Sequence, residues 1–186
     1  MKRLLDLLVA TTMLVALSPI MLIVGMAVRF TSKGPIFYWS DRIGKDNRMF
    51  KMPKFRTMVI DTPVVATDLL RNASQYLTPI GSFLRTTSLD ELPQLLCVIK
   101  GEMSLVGPRP ALFNQYELIK LRNQLHLESL RPGLTGWAQI NGRDELCVDR
   151  KVALDLEYYQ KQGLLFDLRI LWHTAFKVLG RKNVKH

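Results

Sequence analysis

The 186 residues suffice for one domain with a real core and are too few for two of ordinary size. A net charge of +10 calls for an anionic partner, whether nucleic acid, an acidic membrane surface or a phosphorylated substrate, and charge alone does not choose among them. Cys97 and Cys147 have no CxxC spacing and no histidine neighbours, which excludes a disulfide framework and a zinc site by pattern and fits a reducing compartment; His126, His173 and His186 are scattered and read as surface or helix-face residues.

Leu7 to Val28 carries no charge over about 22 residues, long enough to cross a bilayer core of about 30 Å. A cleaved signal peptide competes, since Met1, Lys2 and Arg3 form a basic leader, but the apolar run is too long and no small-residue cleavage site follows. Ser18 and Pro19 sit near the middle of the run, where proline removes a backbone hydrogen bond and predicts a sharp kink. The serine can satisfy the carbonyl so freed. Basic residues flank both ends, Lys2 and Arg3 before, Arg29 and Lys33 after, so the positive-inside bias does not separate them. Equal bias suits a re-entrant hairpin with both ends in the cytoplasm; a kinked spanning helix is the other arrangement proline permits.

After a linker-like turn at Ser32 to Pro35, Ile36 to Ser40 and Met49 to Met58 read as short strands joined by the polar loop Asp41 to Arg48, with Pro53 demoting the second to a sheet edge. Lys54 and Arg56 alternate along that strand and predict one cationic face, either a site or a charge-protected edge. Asp61 to Asn72 is a poorly patterned helix or loop. Between Tyr76 and Thr87, Pro79 and Gly81 break the chain and Ile80, Phe83 and Leu84 are expected on one side, with Arg85 just ahead of an acidic pair.

That pair, Asp90 and Glu91, precedes a predicted short helix at Leu92 to Ile99, then a turn and the rigid run Gly107, Pro108, Arg109, Pro110. A carboxylate can attack phosphorus and carry a covalent intermediate, or hold a magnesium ion that bridges phosphate oxygens. Ser88 and Glu91 also fit a capping box, and Asp90 with Pro93 a helix start, readings compatible with a site. Arg85 can neutralise the acids or fork onto a phosphate.

Leu112 to Leu127 predicts a scaffold helix with Leu118, Leu121 and Leu125 inward, joined by Phe113 and Tyr116. Arg131, Pro132 and Gly133 predict a turn in which glycine takes a positive φ, followed by a brief strand at Thr135 to Ile140 around Trp137. Arg143, after Asn141 and Gly142, is either a second phosphate ligand or a surface arginine. Val148 to Gln162 predicts a helix capped by Asp149. Leu164 to Leu179 predicts an amphipathic helix with Leu164, Leu165, Leu168, Leu171, Trp172, Ala175 and Leu179 on one side and Arg169, His173 and Lys177 on the other. Its apolar side either packs on the core or, with the basic tail Arg181, Lys182 and Lys185, lies in a membrane interface.

Three runs in order, SLDELPQL, KGEMSLVGPRP and RPGLTGWAQINGR, resemble the bacterial sugar transferase family, monotopic phosphoglycosyl transferases that start glycan assembly on undecaprenyl phosphate. The resemblance extends from the apolar segment to about Tyr159, with Glu102 where aspartate is usual and Cys97 where asparagine is common. It implies an α+β, predominantly helical fold. A re-entrant membrane helix at residues 1–30, broken at Ser18 and Pro19, would precede a cytoplasmic catalytic domain at 31–186 with interfacial helices. Asp90 would be the nucleophile that takes a sugar 1-phosphate from a UDP-sugar, releasing UMP, and hands it to undecaprenyl phosphate. Glu91 and Mg²⁺, the latter held by Asp90 and Glu91, would steady the pyrophosphate. Lys54, Arg56, Arg85, Arg109 and Arg143 would bind substrate, with Pro108 and Pro110 restricting Arg109. The implied place is the cytoplasmic face of a bacterial inner membrane, without nucleic acid as partner and with a homo-oligomer left open. A basic nucleic-acid-binding protein and an inactive membrane scaffold are the competing classes; the first lacks a groove-reading helix or cation-interleaved aromatics.

Overall fold

The computed structural model describes residues 1–63, 73–142 and 146–179. The apolar segment is one helix, α1 (Lys2–Thr31), with Pro19 inside it. Pro19 cannot bond the carbonyl of Val15, and Ser18 Oγ donates to that oxygen at 2.8 Å. Helical backbone therefore continues through the pair, and the expected break takes the form of a lost amide bond, not an interruption of the helix. Both ends of α1 pack on the same domain. Ala10 is buried in one cluster with Leu95, Val98 and Met103, while Val24 and Val28 join Phe55 and Leu84 in a second. Between them the helix is largely uncovered, with Val15 69% and Leu22 66% exposed.

Strands β1 (Phe37–Ile43) and β2 (Met49–Phe55) form an antiparallel hairpin that β4 (Ala111–Leu112) extends on the β1 side. Pro53, opposite Trp39, thus lies on an edge strand, as its missing amide requires. β1 runs three residues further than its pattern suggests and so includes Arg42. After the short helix α2 (Gly81–Thr86) comes a 3₁₀ turn, Leu89–Gln94, that packs on β2, then α3 (Leu95–Lys100). The predicted single helix from Leu92 is thus divided, because Pro93 lies inside the 3₁₀ turn. Ser88 adopts a left-handed φ of 56° and makes no side-chain cap, so the capping box does not form.

β3 (Ser104–Val106) and β5 (Gly133–Thr135) pair in parallel, with α4 (Tyr116–Gln124) between them in the chain and α5 (Trp137–Ile140) after them. Trp137 therefore starts a helical turn and not a strand; its indole donates to Glu157 at 2.8 Å and packs on Phe166. Gly133 does not take a positive φ. It sits there because a Cβ would collide with the Gly107 backbone. Of the residues expected inward around α4, Leu118 is buried, but Tyr116 in its first turn is exposed, and Phe113 and Leu125 lie beyond its ends and are exposed too. Phe83 is likewise exposed while its neighbour Leu84 is buried.

Helix α6 (Val148–Lys161) starts at Cys147 without a side-chain cap, leaving Asp149 in its first turn, and α7 spans Leu164–Leu179. α7 buries Asp167 and Ile170 and half-buries Phe166, Leu171 and Thr174. The stripe named from spacing mostly faces out: Leu165 is 84% and Trp172 65% exposed, with Leu168 and Phe176 beside them. α7 is amphipathic, but the side that meets the core carries Asp167 and Thr174 beside Ile170, so spacing alone could not say which side met the core.

Candidate active site

Asp90 lies in the first turn of the 3₁₀ segment and is only 6% exposed. No described residue donates a hydrogen bond to its carboxylate. Burial pushes that carboxyl up to about 6, with the charge of Glu91 adding to the effect while Lys54, Arg85 and Arg109 pull it down. Glu91 takes the direct contacts: Lys54 Nζ donates to its Oε1 at 2.8 Å and Arg109 Nη2 to the same oxygen at 3.3 Å. Burial holds the Lys54 ammonium below its ordinary value, against the attraction of both acids. Arg85 is oriented by its Nε bond to Thr57 Oγ1 at 3.0 Å. A buried carboxylate with three cations around it and few bonds to it is both ionisable near neutrality and free to attack.

The loop that presents Arg109 is fixed at every residue. Gly107 N donates to Thr135 O at 2.9 Å, Gly133 N to Pro108 O at 2.8 Å, Arg122 Nη1 to Arg109 O at 2.9 Å and Arg42 Nη1 to Pro110 O at 3.0 Å. A side chain on Gly107 would strike the Arg131 carbonyl, and one on Gly136 the Gly107 carbonyl. The second and third motifs of the sequence are thus two halves of one interlocked backbone. Arg122 is itself held by the buried Asp155, through Nε at 3.0 Å and Nη2 at 2.7 Å.

Of the residues singled out in the sequence, the fold brings together Lys54, Arg85, Asp90, Glu91 and Arg109, with Pro108 and Pro110 bracketing the last. Arg56 goes elsewhere. It follows the last residue of β2, so the alternation that would align it with Lys54 ends, and its guanidinium donates to Ser32 O at 2.9 Å, Ser32 Oγ at 2.8 Å and the Lys33 carbonyl. It clamps the exit of α1, and Gly34 has no Cβ because Arg56 occupies that space. Arg143 lies outside the described residues, as do 64–72 and the basic tail. Sequence reasoning missed Arg42 and Arg122, whose targets are backbone carbonyls; a charged residue on the inward side of α4 was the available sign. The two departures from the family pattern meet: the Cys97 thiol faces Glu102, and burial with that carboxylate pushes it up to about 12.

The family model described as bacterial sugar transferase matches residues 1–181. The chain is 43% identical over 188 residues to the exopolysaccharide production protein ExoY of Sinorhizobium fredii, covering 93% of this chain and 83% of that protein. It is 40% identical to the uncharacterized sugar transferase EpsL of Bacillus subtilis, over 100% of this chain and 90% of that one. To the UDP-glucose:undecaprenyl-phosphate glucose-1-phosphate transferase of Escherichia coli it is 39% identical over 95% of its length, and it spans only 40% of that protein. With three motifs interlocked around one acidic pair and a match over nearly its whole length, the chain is a transferase and belongs to the bacterial sugar transferase family.

Proposed function

We propose that the protein moves a sugar 1-phosphate from a UDP-sugar to undecaprenyl phosphate in two displacements. The Asp90 carboxylate attacks the phosphorus that bears the sugar; an aspartyl phosphodiester forms, the bridging bond to the other phosphate breaks and UMP leaves. A phosphate oxygen of the polyprenol then attacks the same phosphorus, the bond to Asp90 breaks, and the lipid departs as a sugar diphosphate while Asp90 is restored. The observation that carries this reading is Asp90 itself, a buried carboxylate surrounded by cationic charge, to which none of the described residues donates a hydrogen bond. Lys54 and Arg109, positioned on Glu91, are the charges that a pyrophosphate would otherwise lack when brought beside two acids.

Asp90 and Glu91 offer adjacent hard oxygen donors, and among the described residues no third acid, histidine or cysteine joins them to form a larger cluster. Such a pair suits Mg²⁺, which binds one or two carboxylates and completes its shell with phosphate oxygens and water. Bound there, it would offset charge on the pyrophosphate.

The helix α1 supports a re-entrant arrangement at the cytoplasmic face of the inner membrane. It has 30 residues and an apolar composition long enough to cross a bilayer, yet Arg3 donates to the carbonyls of Val98 and Ile99 while Arg56 clamps Ser32 at the other end. Two ends tied to one domain, with an uncovered apolar middle, suit a helix dipping into one leaflet. The uncovered face of α7 lies flat in the same interface, and a polyprenol phosphate is met there without leaving the lipid. UDP-glucose, named for several relatives, is the first donor to try. Asp90→Asn tests the reading: the variant folds and stays with membranes but releases no UMP from a UDP-sugar, and near-normal release would remove Asp90 as nucleophile.

A further inference from the structure

The first turn of α1 ends on the strand that delivers Arg109. Asp6 is 2% exposed, and its carboxylate accepts from Ser104 Oγ at 2.8 Å and Leu105 N at 3.1 Å. Lys2 Nζ reaches the Val106 carbonyl at 3.1 Å, Asp167 Oδ2 at 2.5 Å and the Tyr158 hydroxyl oxygen at 3.3 Å. Tyr158 lies 2.8 Å from Asp167 Oδ1 and 3.2 Å from Val106 O. A hydroxyl has one proton, and the charged, closer acceptor takes it. That leaves Lys2 as the donor that holds Val106 O. Burial and the charge of Asp167 keep the phenol neutral, so it remains a donor. Residues of three helices, α1, α6 and α7, therefore meet in one node, and Lys2 ties that node to a carbonyl three residues before Arg109.

We propose that Lys2, with Tyr158 and Asp167, is a positioning residue for Arg109, coupling the seat of the membrane helix to the active-site loop. The relay is short. Val106 is bonded into β3, and Gly107 has no room to absorb a shift, because the Arg131 carbonyl and Gly133 amide close around it. A displacement at Val106 passes through Pro108 to Arg109, whose side chain reaches Glu91. Lifting the first turn of α1 from the domain removes Lys2 from this node and slackens the loop. A transferase so built is competent only when α1 is seated. The coupling rests on the phosphoglycosyl transfer proposed above, but the first arm of its test does not.

In the full-length protein in lipid nanodiscs, Lys2→Met and Tyr158→Phe are compared with wild type by hydrogen–deuterium exchange. Faster exchange in the peptide spanning Leu105 to Leu112, with unchanged exchange in Leu89 to Lys100, is the expected result; equal exchange in both peptides overturns the proposal whether or not a UDP-sugar is turned over. Turnover provides the second arm. Lys2→Met lowers kcat/KM for the UDP-sugar by roughly 10- to 100-fold in the wild-type background and by less than about 2-fold when Arg109 is already alanine, and Lys2→Arg restores most of the loss. The same factor in both backgrounds contradicts action through Arg109. Tyr158→Phe removes a single oxygen and keeps the test open if Lys2→Met folds poorly. Absence of UMP release by wild type would sink the catalytic reading alone and leave the exchange result standing.

Discussion

Two kinds of buried aspartate stand within this small domain. Asp6, Asp155 and Asp167 are 2%, 1% and 3% exposed, and each accepts two or more hydrogen bonds from fixed donors. Asp90 is nearly as buried, at 6%, and none of the described residues donates to its carboxylate. The first three are satisfied acceptors that join helices and strands, and their oxygens are occupied. The fourth is held near charge and, among the described residues, not in bonds. Burial without bonding is costly to stability and is what a nucleophile at phosphorus needs.

Exchanging the two kinds gives the largest effect. Asp90→Asn should lose roughly 10⁴-fold or more of UMP release while gaining stability. The sign follows from its position: the folded carboxyl titrates at about 6 and the ordinary value is 3.8, so ionising it opposes folding. The penalty, up to about 3 kcal/mol, is fully present above the folded value and disappears as pH falls towards the ordinary one. Melting at pH 7.5 and pH 5 should show the gain shrinking. Next come the satisfied acids. Arg122→Ala leaves Asp155 buried and unpaired, and should cost about 3–5 kcal/mol in chemical denaturation; a loss under about 1 kcal/mol would mean the pair is not a structural tie.

A smaller change sharpens the electrostatics at Asp90. kcat/KM should fall on the acid side as Asp90 takes up a proton, because the protonated carboxyl cannot attack. The Lys54 charge lowers the Asp90 pKa, so Lys54→Met should move the acid limb upward, and a downward move would mean its charge acts elsewhere. The smallest effect on folding belongs to α7. Replacing the exposed Leu165 and Trp172 by serine should leave thermal stability within about 0.5 kcal/mol and yet reduce the membrane-bound fraction in a flotation assay.

The motifs made the acidic pair, Arg109 and its prolines legible before any coordinates, and local pattern was enough for the bounds of α7, the edge position of Pro53 and the serine that serves the orphaned carbonyl in α1. Failures came where the outcome depended on distant backbone. Trp137 reads as a strand residue by propensity, but its indole bonds Glu157 on α6 and the chain turns helical to place it. Arg56 alternates with Lys54 only while the strand lasts, and the strand ends at Phe55. Gly133 looked like a turn glycine because proline precedes it, whereas the constraint is the backbone of Gly107 from another motif. Lys2, read as a flanking charge, is joined to Val106 and Asp167 across more than 100 positions, a pairing that no local pattern encodes.

The direct test of the account is intact-mass analysis of the purified, membrane-reconstituted protein given UDP-glucose or another accepted donor and no polyprenol phosphate. A mass increase equal to one sugar phosphate, mapped by proteolysis to the peptide containing Asp90 and discharged when undecaprenyl phosphate is added, is the predicted result. UMP released in step with product, with no adduct formed while acceptor is withheld, would contradict it.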